Sequence, residues 1–336
     1  MRWPPPFFSS MLSSFRHSTI VAVAAGLACG GVAEGPPARV VIPAGASFRV
    51  ATDSLVSAGI ISSPRMFRAY ATVRGHDRGV KPGTYLLRRG TSWGTILQSL
   101  TRGWGVVRTV TIPEGFALSA IEPLLARSLN VPPESVAAAV RDSALLERLE
   151  IPTSTLEGYL FPDTYQFADG TPARIAVRDM VVQFESRWAP EWDAQLDTLN
   201  MSRHQVVTLA SIVEKEARLD EERPVIAAVY HNRLRVGMPL QADPTVQYAR
   251  GAHTSRVLHK DLEIQSPYNT YRRAGLPPGP IASPGRASIE ATLFPAKVPY
   301  RYFVAHPDGH HEFRVTYEEH LAAIQAIRRA QRRSRD

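Results

Sequence analysis

Between Val206 and Val213 the chain reads VVTLASIV, an apolar run broken only by Thr208 and Ser211. Ser202, with Gln205 three residues later, forms a capping box, so a helix starts there and runs on through Glu214, Lys215 and Glu216. A helix this apolar reads as buried, and a folded domain has to be built around it. At about 100° per residue Val206, Ala210, Val213 and Ala217 share a face, Leu209 adjoins it, and Lys215 falls opposite, in water. Glu214 and Glu216 flank the apolar stripe about 200° apart, so they do not serve the same cleft. Desolvation at such a margin raises a carboxyl's pKa, which lets it hold a proton near neutrality and donate it to a leaving oxygen. Glu216 lies between the positions of Leu209 and Ile212, and Glu214 lies beside Val207 and Ala210. Helical geometry does not choose between them, and two boundary residues in salt bridges would satisfy the same pattern.

With 336 residues, 44% of them hydrophobic, the chain has room for about two domains with real cores. Its net charge of +8 is half accounted for by residues 328–336, where five arginines meet one aspartate, so the body is only mildly basic. No aromatic residues interleave with those arginines, which counts against a nucleic-acid partner. The single cysteine, Cys29, excludes an internal disulfide and any metal site made of several thiolates. Before it come Arg2, Arg16 and His17, and around it Ser18 to Ala33 is apolar or small throughout. That pattern is an export signal or a membrane anchor. Sixteen residues is short of the roughly 20 a spanning helix needs, so an anchor, a cleaved signal and lipid attachment at Cys29 all stay open. In each case residues 1–17 stay in the cytoplasm, and everything after about residue 35 works outside it.

From about 40 to 125 a strand, tight turn, helix pattern recurs, at VIPAGASF from Val41, LRRGTSWGTIL from Leu87 and TIPEGFALSAIEPLL from Thr111. The middle copy, with Gly90, Thr91, Ser92, Trp93, Ile96 and Leu97, resembles the signature of LysM glycan-binding modules; a generic strand–helix unit fits equally. Helical spacing continues to about 150, where two prolines, a glycine and four aromatics in IPTSTLEGYLFPDTYQF break it. The expected boundary falls near Ile151. Further on, a helix is predicted around Ile175 to Arg187, an ordered, site-forming Pro/Gly-rich tract over residues 237–299, and a hairpin turning at Asp308-Gly309.

TLASIVEKEA, RPVIAAVYHNRLRVGMPLQADPTVQYA, SPYNTYRRAGLPPGPIASPGRASIEATLFPA and YFVAHPDGHHEF, in that order, resemble the endolytic murein transglycosylase family (MltG-type, YceG-like). The resemblance runs from about Glu157 to the end and, with the LysM-like part, extends over some four fifths of the chain. It implies an α+β fold: an N-terminal membrane segment at 18–33, a small LysM-like module with connecting helices at 40–150, a catalytic domain at 151–327 with a lytic-transglycosylase-like active-site helix, and a basic tail at 328–336. It implies that Glu216, the second glutamate of the E-K-E run, is the sole acid and base. The reaction would cleave the β-1,4 bond between N-acetylmuramic acid and N-acetylglucosamine without water, leave 1,6-anhydromuramyl ends, and terminate nascent strands. Gln241, Asp243 and Thr245, Tyr268 and Asn269, and Glu157 and Tyr165 are expected to bind substrate, although Asp243 before Pro244 and Asn269 would equally cap local turns. No cofactor and no metal is expected; His306, His310 and His311 lack the helical spacing of a zinc site. The expected partners are peptidoglycan glycan strands, the inner membrane, crossed once, and peptidoglycan synthases (penicillin-binding proteins). A muramidase-like hydrolase with a second carboxylate and a non-catalytic glycan-binding scaffold are the rival readings.

Overall fold

The structure is a computed structural model that describes residues 34–103, 107–168, 170–251 and 257–333. The apolar stretch at 18–33 lies outside these residues, and among them no helix is long and apolar enough to cross a membrane. The chain forms two compact units that divide at Gly103/Trp104.

In the first unit β1 (Glu34–Ile42) pairs antiparallel with β2 (Gly83–Arg89), placing Val40 opposite Tyr85 and Ile42 opposite Gly83. Between them run α1 (Phe48–Ser57) and α2 (Pro64–Val73), and α3 (Trp93–Arg102) follows. Alternation does the local work: Val40, Ile42, Tyr85 and Leu87 are buried on one face of the sheet, and Leu55, Phe67, Ile96 and Leu100 are buried on the helices. Ser47 and Ser92 cap α1 and α3 with their side chains, and Gly90 takes the left-handed turn (φ 80°) between β2 and α3. The strand–turn–helix units read at Val41 and Leu87 are therefore β1–α1 and β2–α3, and the third, at Thr111, is β3–α4 of the second unit.

The second unit begins with β3 (Val107–Thr111), whose antiparallel partner is β4 (Thr164–Ala168), on the far side of α4 (Leu118–Leu129), α5 (Pro133–Ala139) and α6 (Ser143–Arg148). That pairing crosses the boundary expected near Ile151. One buried cluster runs from Val110 through Leu156 to Leu293, so residues 107–150 fold as part of this unit and not as connecting helices of the first. The break in helical periodicity at Ile151 marks a loop inside a core. α7 (Ala173–Arg187) and α8 (Glu191–Leu199) complete that side.

The central element is α9 (Arg203–Glu216), opened by the Ser202/Gln205 capping box. All eight residues from Val206 to Val213 are buried. Val206, Val207 and Ala210 belong to the first cluster, while Leu209, Ile212 and Val213 belong to a second with Ile226, Tyr230, Leu240 and Ile281. The helix is thus enclosed on more than the single stripe that its periodicity suggests. A 3-10 turn (Asp220–Glu222), α10 (Arg223–Arg235), α11 (Asp243–Arg250) and α12 (Arg286–Leu293) surround it, and β5 (Tyr302–Ala305) with β6 (His311–Arg314) forms the hairpin before α13 (Tyr317–Arg333). The Pro/Gly-rich tract is laced to α9 by polar groups. Ser211 Oγ accepts from the Ile281 amide at 3.0 Å, and the His204 ring sits between the Tyr159 hydroxyl and the Pro278 carbonyl, each at 2.9 Å. These bonds satisfy backbone that would otherwise be orphaned inside a core.

Candidate active site

The two glutamates of the E-K-E run part company at the end of α9. The Glu214 side chain, only 7% exposed, accepts from the Gly285 amide (3.0 Å) and the Ser288 hydroxyl (2.8 Å) at the start of α12 and lies 3.7 Å from the Arg223 guanidinium. It therefore holds the start of one helix and pairs with another. Glu216, the last residue of α9, turns to the other side, where its Oε1 accepts from the Tyr230 hydroxyl at 2.9 Å. Burial, the largest influence, pushes its pKa up to about 7; the nearby Asp243 carboxylate also raises it, while the Tyr230 bond and the Arg233 cation lower it.

Each of these neighbours is held in turn. Tyr230 is a buried α10 residue whose ring meets Phe303 of the hairpin edge-on at 6.0 Å. Arg233, one turn further along α10, donates from Nε to the Arg301 carbonyl (2.7 Å) and from one terminal nitrogen to the Leu240 carbonyl (2.6 Å). A buried guanidinium anchored on two carbonyls keeps a fixed positive charge beside Glu216. Asp243 opens α11, is exposed, and accepts from the Tyr271 hydroxyl at 2.6 Å. The hairpin itself is pinned below: His311 Nδ1 is 2.6 Å from Glu222, whose other oxygen takes the His311 amide at 2.7 Å, and the His311 ring meets Phe303 at 5.2 Å.

The other expected site residues lie on α11, on the loops around it and further off in the same unit. Gln241 is exposed, in the left-handed region (φ 50°), with its amide on the Thr270 carbonyl at 3.1 Å. Thr245 is buried, bonded to the Ala242 carbonyl and the Thr270 hydroxyl. Asn269 is buried too: its amide nitrogen donates to the Leu262 and Ile264 carbonyls and its oxygen accepts from the Tyr271 amide. Thr245 and Asn269 thus brace the loop that presents Asp243 and Tyr271. Tyr268 packs on Tyr248 with ring centres 4.8 Å apart. Glu157, 4% exposed, takes the Leu118 amide at the first turn of α4 on both oxygens (3.0 and 3.1 Å) and the Tyr248 hydroxyl at 3.2 Å; burial pushes its pKa up to about 7 against those bonds. Tyr165 is occupied on β4, its ring stacked on Phe167 and its hydroxyl donating to the Phe161 carbonyl.

Tyr230 and Arg233 both shift the Glu216 carboxyl yet stand out little in the sequence. Tyr230 and Arg233 read as ordinary members of an amphipathic helix, and the one available signal is that both fall on the apolar face of α10. Among the described residues no cluster of three or more histidine, cysteine or acidic side chains is arranged to hold a metal.

The profile of the YceG-like family matches residues 40–326. The chain is 38% identical over 298 residues to the endolytic murein transglycosylase of Bacillus subtilis (strain 168), covering 84% of this chain and 82% of that one. It is 31% identical to the endolytic murein transglycosylase of Streptococcus pneumoniae (serotype 2, strain D39), with 79% of this chain covered, but it spans about half (53%) of that longer relative. A crystal structure of a YceG-like protein from Listeria monocytogenes superposes with a TM-score of 0.60 at 33% identity, covering 85% of this chain and 99% of the other.

Proposed function

This chain belongs to the YceG-like family, and from that premise we propose that Glu216 is the acid and base with which it cuts murein strands as an endolytic transglycosylase. The observation that carries the assignment is the Tyr230 bond to a carboxyl whose pKa burial has lifted to about 7. At neutral pH such a group is about half protonated, which suits it to give up a proton and recover one in a single turnover. The Tyr230 bond occupies Oε1 and leaves Oε2 for the glycosidic oxygen. Protonation there assists departure of the N-acetylglucosamine as positive charge develops at the muramyl C1. The resulting carboxylate then takes the proton from the muramyl 6-hydroxyl, whose oxygen closes on C1 to give the 1,6-anhydro end, so that no water is consumed. Asp243 and Arg233 set the charge around the centre, and Gln241, Asp243, Tyr268 and Tyr271 supply polar and aromatic contacts for acetamido and hydroxyl groups. Glu157, Thr245 and Asn269 act through those residues by holding the loops; Tyr165 supports the strand below.

A specific observation also supports a second reading. Asp243 lies close enough to Glu216 to raise its pKa, so a hydrolase with two carboxylates has both members available. Product analysis separates the readings. Wild-type protein and Glu216→Gln are each incubated with uncrosslinked strands, and the products are weighed by mass spectrometry. Anhydromuramyl ends from the wild type alone support the proposal; reducing ends transfer the role of second carboxylate to Asp243; unchanged cleavage by Glu216→Gln would sink Glu216 as the acid.

Two further parts of the reading extend beyond the site. The antiparallel β1–β2 pair with its helices supports a LysM-like glycan-binding role for the first unit. The basic residues and apolar stretch up to Ala33 support an inner-membrane anchor, with the enzyme outside the cytoplasm beside the synthases whose strands it would end.

A further inference from the structure

A cleft of about 750 Å3 opens in the second unit between the first turn of α4, the end of α9 and α11. The chemistry of Glu216 does not use it. Lys215 lines it from α9, one residue before Glu216, and Pro244 lines it from α11, one residue after Asp243. The elements that carry the acid and its neighbouring carboxylate are therefore also walls of the cleft. From Asp243 to Gln247 is about one turn of α11, a rise of ~6 Å, which is comparable to the length of one sugar ring.

The walls have the composition a saccharide needs. Phe116 and Pro123 offer apolar surface for a pyranose face, while Thr155 and the Tyr248 hydroxyl offer polar groups for hydroxyl and acetamido substituents. Its two cations are already engaged within the protein, Arg141 with Glu122 at 3.8 Å and Lys215 with the Gly115 carbonyl at 3.2 Å, so the cleft suits a neutral sugar better than the anionic stem peptide attached to it. Its polar wall is preorganised, because buried Glu157 is locked onto the Leu118 amide and in turn fixes Tyr248.

We propose that this cleft is a glycan subsite that holds the strand one or more sugars away from the bond at Glu216. The proposal rests on the reading of Glu216 given above. It accounts for cutting inside strands: a bond is favoured when sugar extends beyond it far enough to fill the cleft, and a bond at a strand end is not.

The test is to plug the cleft. Ser119 and Ala120 are exposed residues of the first turn of α4 that line it, and Ser119→Trp and Ala120→Trp each push an indole into the space. The full chain is assayed on uncrosslinked, peptide-free strands and on the shortest fragment that the wild type cuts. In parallel, affinity for the long strands is measured in a Glu216→Gln background. The expected result is a roughly tenfold or greater loss of kcat/KM on long strands, several times larger than the loss on the short fragment, with a matching loss of affinity. Equal losses on both lengths, or none on either, would overturn the subsite. So would a loss confined to strands that keep their stem peptides, which would give the cleft to the peptide. If the wild type releases no product, the reading of Glu216 fails, while the affinity comparison still judges the cleft. Should either plug lower the melting temperature, Thr155→Val, which removes a wall hydroxyl and adds no bulk, is put through the same comparison.

Discussion

Glu216 is poised by opposing effects, of which burial is the largest. Burial and the Asp243 carboxylate favour its protonated form, and the Tyr230 hydroxyl and Arg233 favour the carboxylate. Removing one of the stabilisers of the carboxylate has a defined sign. Tyr230→Phe keeps the ring against Phe303 but deletes the bond to Oε1, so the pKa of Glu216 rises and the alkaline limb of the kcat/KM profile moves to higher pH. A loss on the order of tenfold in kcat should accompany it, because the carboxyl also loses its orientation; a pH–rate profile measures both. Glu157 makes a separate prediction about stability. Its folded pKa of about 7 lies above the ordinary value of 4.5, so as pH rises the unfolded chain releases this proton first. The native state then binds more protons than the unfolded state, and stability falls from about pH 4.5 to about 7 before levelling. Glu157→Gln, which cannot titrate, should remove a part of that slope on the order of 3 kcal/mol. Denaturant melts at pH 5 and pH 8 check it, and an unchanged pH dependence would exclude Glu157 as its source.

At the level of elements, the site depends on how α9, α12 and the loop before α12 are clipped together. Glu214 ties the end of α9 to the start of α12 and to Arg223, which also holds Ser288 and Asp220. Glu214→Ala leaves a nearly buried guanidinium short of a partner and two donors of α12 unpaired, for an expected cost of about 3 kcal/mol. Equilibrium unfolding in urea measures this. The same clip sets the direction in which α9 delivers Glu216, so the variant should lose activity even at temperatures where it stays folded. A second contact is purely steric. Gly158, at φ 83°, has no room for a side chain, because a Cβ there would sit 2.4 Å from Pro280 Cβ. Gly158→Ala combines backbone strain with overlap and should destabilise by roughly 2 kcal/mol or more. Thermal melting tests this, with Gly170→Ala as the comparison: its φ is also positive, and nothing lies within 4 Å of its added Cβ.

On the scale of the whole molecule, the second unit holds a complete core and every residue assigned to the chemistry, from Glu157 through Tyr271 to His311. A fragment of residues 104–336 is therefore expected to fold on its own and to cut soluble strands with kcat near that of the full chain. If the first unit grips glycan, the fragment's KM on long strands should rise by roughly tenfold, in keeping with the loss of one linked binding module. Steady-state kinetics on both proteins decide it. A fragment that folds but cannot cut would place part of the catalytic apparatus in the first unit.

What could be read without a structure were interactions that close within a few residues. The Ser202/Gln205 capping box, the strand–turn–helix starts at Val41, Leu87 and Thr111, the Asp308-Gly309 hairpin and the buried character of α9 all depend on neighbours three or four positions away. Sequence spacing and spatial spacing then coincide. The long ordered motifs also carried the family and pointed to the second glutamate. The division at Gly103 was not legible, because it follows from β3 pairing with β4 more than fifty residues later and not from the loss of periodicity at Ile151. Nor was the separate fate of the two glutamates, which helical geometry leaves symmetric. Glu214 is claimed by Gly285, 71 residues away, Glu216 by Tyr230, 14 residues away, and Glu157 by Leu118 and Tyr248, at separations of 39 and 91. The sequence by itself determined the helix and the acids it carries. Only the tertiary structure decided which acid would be held by a cation, an amide and a hydroxyl and which would be left desolvated beside a tyrosine, because a carboxyl's pKa is set by what packs around it.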